Sequence, residues 1–339
     1  MGSSMNQSQW SGVQHHLERA FLEDVGPKYL LNARPPHGLK IRQWRPKSTV
    51  HLINHLHSGV SGLKRRSARV GDHKLVWLEG GVGHGAPVVL LHGFASNKEN
   101  WLSLVPFLIK THRLFILDLP GWGESEFNAN LSYSLDEQVS RVAQWIAMHV
   151  GQPAHVVGNS VGGLITALMA GRHPDLFLSA CLMNPAGGKG VDHTRFELGL
   201  TRGRNPMIVE SLAGAHGLMR LAIHNRAIAL ALAPIMARDL IHRRHVNRHL
   251  FHQMLINPPS TELPGMAANT KPTLIMWGKE DGLVHFTGAF TYQTIVPHAQ
   301  LVLFDDVGHL PMVEVPLKTA RALNVFWAQA MDTAKVGAA

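Results

Sequence analysis

The strongest constraint on what this 339-residue chain can fold into is a succession of short apolar runs that alternate with stretches of helical period from about residue 66 onward. Pro87–Leu91 is apolar throughout, as in a strand buried on both faces. Leu114–Leu117, His155–Val157, Leu178–Met183, Pro272–Trp277 and Leu301–Phe304 read as further strands. Between and after them, 100–109, 134–150, 161–171, 286–296 and 316–331 read as helices, while 66–70 and 74–78 suggest a lead-in hairpin. Strand–helix alternation of this kind argues an α/β fold built on a parallel, doubly wound sheet.

The alternation lapses near Asn184 and resumes at Pro272, and the interval carries helical patterns only. The reading is a core formed by 66–185 and 263–332, a helical cap over 186–262, and a basic N-terminal extension, 1–65. In the extension, 13–31 reads as a helix that Pro35-Pro36 ends, and 49–63 has apolar residues at helical spacing interleaved with His51, His55 and His57. The formal net charge of +9 is concentrated: residues 1–70 hold 11 Lys/Arg against 3 Asp/Glu, and 186–262 hold 10 against 5. The remainder is therefore acidic. An apolar fraction of 45% argues against disorder, and the single cysteine, Cys181, in an apolar run, excludes a disulfide framework. No stretch approaches the roughly 18 apolar residues of a spanning helix, and no signal-peptide pattern opens the chain. The expected location is cytoplasmic, with membrane association as an option.

Four loops, each following a strand, carry the chemistry. Gly158-Asn-Ser160-Val-Gly162-Gly163 lies between a strand and a helix, the context of a nucleophile elbow, where small residues must flank a serine on a tight turn. A serine hydroxyl needs a base to take its proton and an acid to orient that base. Gly278-Lys-Glu-Asp281 supplies Asp281, with Glu280 as a neighbouring alternative, and Asp305-Asp-Val-Gly-His309 supplies His309, so the order is Ser, acid, His. An oxyanion needs preorganised N–H donors, about 2.7–4 kcal/mol for one of them. Val161, after the serine, and Phe94, in the loop His92-Gly93-Phe94, are the candidates; His92 is read as bracing that loop.

With Asp118-Leu-Pro-Gly-Trp-Gly-Glu-Ser125 and Asp306-Val-Gly-His-Leu-Pro-Met-Val-Glu314, these loops make the chain resemble the α/β-hydrolase superfamily over about 66–332. Within it, the pattern is similar to bacterial family V lipases and monoacylglycerol lipases. The resemblance implies an α/β-hydrolase fold and hydrolysis of carboxylic esters, acylglycerols foremost, with no cofactor and no metal. Val161 stands where that family more often has Met, but only its backbone is used.

Other readings attach to single features. Trp122 either lines a substrate pocket or packs beside its loop. His242, His245, His249 and His252 recur at helical spacing beside Arg243, Arg244 and Arg248, and read as a solvated cap face instead of a metal site. Gly80–Gly85 precedes a strand and reads as a hairpin turn. The basic N-terminal segment either lies on an anionic membrane or packs against the cap. Nucleic-acid binding has no supporting motif. Two alternatives to an esterase are a carbon–carbon bond hydrolase of the meta-cleavage type and a non-catalytic receptor on the same fold. The first shares the Gly-Asn-Ser-x-Gly-Gly elbow and a turn like Met183-Asn-Pro-Ala-Gly187, but usually has a longer glycine-rich oxyanion loop than Phe94-Ala-Ser96.

Overall fold

A computed structural model describes residues 21–32, 43–44, 62–82, 85–188, 190–256 and 264–336. Its strands are β1 (Gln43–Trp44), β2 (Lys64–Val70), β3 (His73–Gly81), β4 (Pro87–Leu91), β5 (Arg113–Asp118), β6 (Phe127–Asn128), β7 (Ala154–Asn159), β8 (Phe177–Met183), β9 (Thr273–Gly278) and β10 (Gln300–Phe304). Eight of them form one sheet in the order β10-β9-β8-β7-β4-β5-β3-β2, parallel from β10 to β5 and closed at the other edge by the antiparallel β3 and β2. The apolar runs are explained by burial on both faces. In β4, Val88 and Leu90 belong to one core and Val89 and Leu91 to the other. Cys181 is buried in β8, where burial pushes its thiol up, as suits an inert side chain.

The helices are α1 (Phe21–Asn32), α2 (Leu135–Trp145), α3 (Val161–Arg172), α4 (Arg195–Thr201), α5 (Leu212–Ala222), α6 (Arg226–Ile256), α7 (Gly288–Ile295) and α8 (Pro316–Val336), with single turns at Pro264–Ala267 and Pro311–Glu314. Local signals place their starts. Ser134 accepts the Glu137 N–H at 3.3 Å before α2, and Thr194 and Glu197 cap α4 reciprocally. Between 186 and 256 the described residues contain helices and no strand. No described helix is long and apolar enough to cross a membrane.

Several expectations need correction. The helix expected over 100–109 is instead two short 3-10 turns, Lys98–Trp101 and Val105–Phe107, and Pro106 stands at the start of the second, where its missing N–H leaves no helical bond unmade. Gly80–Gly85 is not a hairpin turn. Strand β3 pairs with β5, so the chain must pass β5 to reach β4. The histidine-rich face of α6 is not uniformly solvated. Arg243 is buried, donating to the carbonyls of Gly121 and Gly123, and His249 packs edge-on to Phe127 and Tyr133. No group of three metal-ligating side chains occurs among the described residues. Of the N-terminal extension, α1 packs on the cap: Asn32 Nδ2 donates to Thr201 O at 2.8 Å, and Tyr29 meets Phe251 edge-on at 5.2 Å. Strand β1 pairs with β6. Residues 62–65 of the extension lead into and open β2, and its remainder lies outside the described residues, including 13–20, Pro35-Pro36 and most of 49–63, as do the end of the cap, 257–262, and residue 263.

A buried charge cluster fixes the loops after β4 and β5 to each other. The Lys98 ammonium donates to Asp118 Oδ2 at 2.7 Å, Glu124 Oε2 at 2.7 Å and Glu99 Oε1 at 2.9 Å. Asp118 also accepts the backbone N–H groups of Lys98 and Glu124, and Arg65 caps Glu124. Burial opposes the ammonium charge, but the surrounding carboxylates outweigh it and hold the Lys98 pKa well above its ordinary value. Removing the central ammonium would leave Asp118 and Glu99 without their cation and Glu124 with Arg65 alone. Lys98→Met is expected to lower the unfolding free energy by about 3–5 kcal/mol, read as a lower urea midpoint; an unchanged midpoint would mean that the cluster contributes nothing net.

Candidate active site

The sheet order decides where chemistry can sit. From β4 the chain goes to β5 on one side and returns to β7 on the other, so the adjacent β4 and β7 flank a topological switch point. Their C-terminal loops, His92-Gly93-Phe94 and the Ser160 turn, open into one crevice. Strands β8, β9 and β10 follow in order, each ending in a polar loop: Asn184, Asp281 and His309.

Ser160 joins β7 to α3 with φ 57° and ψ −120°, a left-handed conformation that a residue with a side chain adopts only under constraint. The constraints are visible. Ser160 N donates to Met183 O, and Ser160 O accepts from Leu164 and Ala186, each at 3.0 Å. The flanking glycines are required by closeness: a Cβ on Gly158 would stand 2.1 Å from Gly162 O, and one on Gly162 2.4 Å from Leu91 O. The elbow is thus pressed against the end of β4. A Cβ on Gly93 would fall 2.9 Å from Ser160 Cβ, which brings the Phe94 backbone alongside the serine. The Val161 N–H, first in α3, has no intrahelical acceptor.

Asp281 is buried and surrounded by donors. Its Oδ1 accepts the N–H groups of Leu283 and Val284 at 2.8 and 3.0 Å, and its Oδ2 accepts Asn184 Nδ2 at 2.8 Å and His309 Nδ1 at 2.6 Å. A carboxyl so supplied has only acceptor roles left, so Nδ1 of His309 carries the proton and Nε2 is left as the basic nitrogen. Glu280, the alternative acid, is exposed, whereas Asp281 is buried against His309. The His309 loop is held in turn: His309 N donates to Ala222 O at 2.7 Å, and Asn159 Nδ2 donates to His309 O at 3.0 Å. Glu314 accepts Gly308 N at 2.8 Å and Asn225 N at 2.9 Å, and burial raises its pKa.

Ser160 lies where two cavities meet. One, of about 80 Å³, is walled by apolar side chains such as Leu164, Phe196, Phe251 and Met254 and includes Val161. The other, of about 290 Å³, contains His309 and lies beneath the cap. Phe94 borders both. Trp122, expected as a possible pocket residue, lines neither. The left-handed Gly121 and Gly123 turn its indole inward, where it is fully buried and meets Phe94 edge-on at 5.5 Å. Asn184 and Glu314 escaped the sequence reading. Asn184 could have been found, because it occupies the same place after β8 that Asp281 and His309 occupy after β9 and β10.

His92 braces the loop after β4 as a neutral ring: Nε2 accepts Leu119 N–H at 3.0 Å, so Nδ1 donates to Gly93 O at 2.7 Å. Burial depresses its pKa to about 4. Below pH 6.5 the unfolded chain takes up a proton that the folded ring refuses, so stability is lost as pH falls through the window from about 6.5 to 4, by about 3 kcal/mol in all from this residue. In His92→Gln that part of the acid slope is expected to vanish in denaturation curves taken across the window; an unchanged slope would contradict the neutral, buried ring.

Known proteins resemble the chain throughout this region. A family model for the alpha/beta hydrolase fold matches residues 86–316. Lipase 3 of Moraxella sp. (strain TA144) is 28% identical, covering 75% of this chain and 81% of its own length. Monoacylglycerol lipase ABHD6 of Homo sapiens is 27% identical over 80% of this chain and 84% of its own. The crystal structure of a membrane phospholipase A, a bacterial virulence factor, superposes with a TM-score of 0.77 at 28% identity, over 83% of this chain and 91% of that one. Meta-cleavage product hydrolases share the fold at lower identity, such as one with a TM-score of 0.67 at 22%, and do not favour the carbon–carbon hydrolase reading.

Proposed function

This chain belongs to the α/β-hydrolase fold family and is an ester hydrolase of the esterase and lipase type, and on that premise we propose that Ser160, His309 and Asp281 carry its chemistry on lipid acyl esters. The observation that carries the assignment is the convergence of a strained Ser160 and an Asp281-bound His309 on one cavity at the switch point of the sheet.

In this mechanism His309 Nε2 takes the Ser160 hydroxyl proton as Oγ attacks the ester carbonyl. Asp281 holds the imidazole in the required tautomer and stabilises the imidazolium. The Phe94 and Val161 N–H groups bind the developing oxyanion. Collapse breaks the carbon–oxygen bond, His309 returns the proton to the departing alcohol, and Ser160 is left acylated. Water then attacks the acyl-enzyme with His309 again as base, releasing the acid and the free serine. The apolar walls near Val161 suit a hydrocarbon acyl chain, and acylglycerols are the substrate class that the lipase and monoacylglycerol lipase relatives support.

Two measurements bear on these roles. A fluorophosphonate probe is expected to label the protein but not Ser160→Ala, with p-nitrophenyl ester turnover falling by at least about a thousandfold in the variant. Equal turnover by both proteins would remove Ser160 as nucleophile. Asn184→Ala, which takes one donor from Asp281, is expected to lower kcat about tenfold with little change in KM; an unaltered kcat would show that the Asn184 bond does not position the acid.

A further inference from the structure

The two cavities that meet at Ser160 differ in chemistry, and proton transfer tells them apart. His309 must deliver its proton to the leaving oxygen, so the alcohol half of the ester has to lie in the cavity that His309 lines, of about 290 Å³. The acyl half falls to the smaller, apolar cavity beside Val161.

The alcohol-side cavity has one polar wall, made by Ser96, Asn97, Glu99, Asn100 and Ser103, facing an apolar roof from α6 that includes Leu232 and Met236. Among the described residues no lysine or arginine lines it, and Glu99 and His309 are its only ionisable groups. Lys98 is next to Glu99 in sequence, yet it is buried, does not line the cavity, and its ammonium is divided among Asp118, Glu124 and Glu99. Glu99 reaches Lys98 with Oε1 at 2.9 Å and keeps acceptor sites for a hydroxyl donor. Resting on the assignment of Ser160 and His309 above, we propose that the alcohol half of the substrate is an uncharged polyol whose hydroxyls are recognised by Glu99 and Asn100, and that phosphate-bearing alcohols are selected against.

The physical reason is complementarity on both sides. A hydroxyl gives Glu99 a donor that water would otherwise supply, while the Asn100 side chain can donate or accept, and the α6 roof covers the carbon skeleton. A phosphate in the same place would be desolvated against a carboxyl group without meeting a cation. This separates the chain in substrate from any lipase whose alcohol cavity presents arginine or lysine.

The test compares kcat/KM for three esters of one medium-chain fatty acid below their micelle-forming concentrations: the 1-glyceryl ester, the methyl ester and the matching lysophosphatidylglycerol. The glyceryl ester is expected to exceed the lysophospholipid by at least about tenfold. Glu99→Gln and Asn100→Ala should each lower the glyceryl-to-methyl ratio about fivefold, and Glu99→Gln should also narrow the gap to the lysophospholipid. Asn100→Ala leaves the Lys98 cluster intact, so a folding defect in the Glu99 variant does not obscure the result. Equal turnover of the lysophospholipid and the glyceryl ester, or an unchanged ratio in both variants, would overturn the alcohol preference while leaving the hydrolase reading in place. Failure to hydrolyse even the methyl ester would instead overturn that reading, and the proposal with it.

Discussion

The Ser160 backbone is the constraint on which the rest of the site depends. A non-glycine residue in that conformation costs on the order of 1–3 kcal/mol and persists only where its surroundings over-determine it. Here they do so from three strands at once. Strand β7 leads into the turn, the end of β8 takes its N–H through Met183, and the end of β4 leaves no room for a side chain at Gly162. The strained turn is therefore a consequence of sheet order. Any chain that places β4, β7 and β8 side by side with these glycines forces the serine outward above an N-terminal helix end.

The loops around the serine are held by buried polar groups that bond largely to one another. Lys98, Asp118 and Glu124 lock the loop after β4 to the loop after β5, and His92 bonds across the same gap through the Leu119 N–H. Arg243 then ties the second loop to the long cap helix through Gly121 and Gly123. Such groups would be costly if any one partner were missing, so the cluster specifies geometry more than it adds stability. The Phe94 backbone inherits its position from it.

Much of this was legible in the sequence because the fold uses local rules. Apolar runs became strands, the Ser134 cap started a helix, and the order of Ser160, Asp281 and His309, each after a strand, could be read directly. The local rules failed over 98–107, where helical spacing gives only two 3-10 turns, although Pro234 is carried inside the long helix α6. They failed more completely for long-range partners. Nothing near Arg243 in sequence indicates that its guanidinium meets carbonyls at Gly121 and Gly123, and a histidine-rich stretch looked solvated because the aromatic side chains that cover His249 are more than a hundred residues away. Trp122 was ambiguous for the same reason, since its burial depends on Phe94 and His92 from another strand's loop.

The helices inserted between β8 and β9 also support the loops at the ends of β9 and β10. The last turn of α5 supplies Leu221 O to the Gly282 N–H and Ala222 O to the His309 N–H, while Asn225, just before α6, donates its N–H to Glu314, which also holds Gly308. The loops that carry Asp281 and His309 thus rest on backbone groups of the inserted helices. Backbone carbonyls in such a place cannot be altered by side-chain substitution, which makes them a durable support for two residues that must meet within hydrogen-bond distance. If the cap moves, this end must stay seated, because lifting it would withdraw the acceptor that fixes His309 against Asp281.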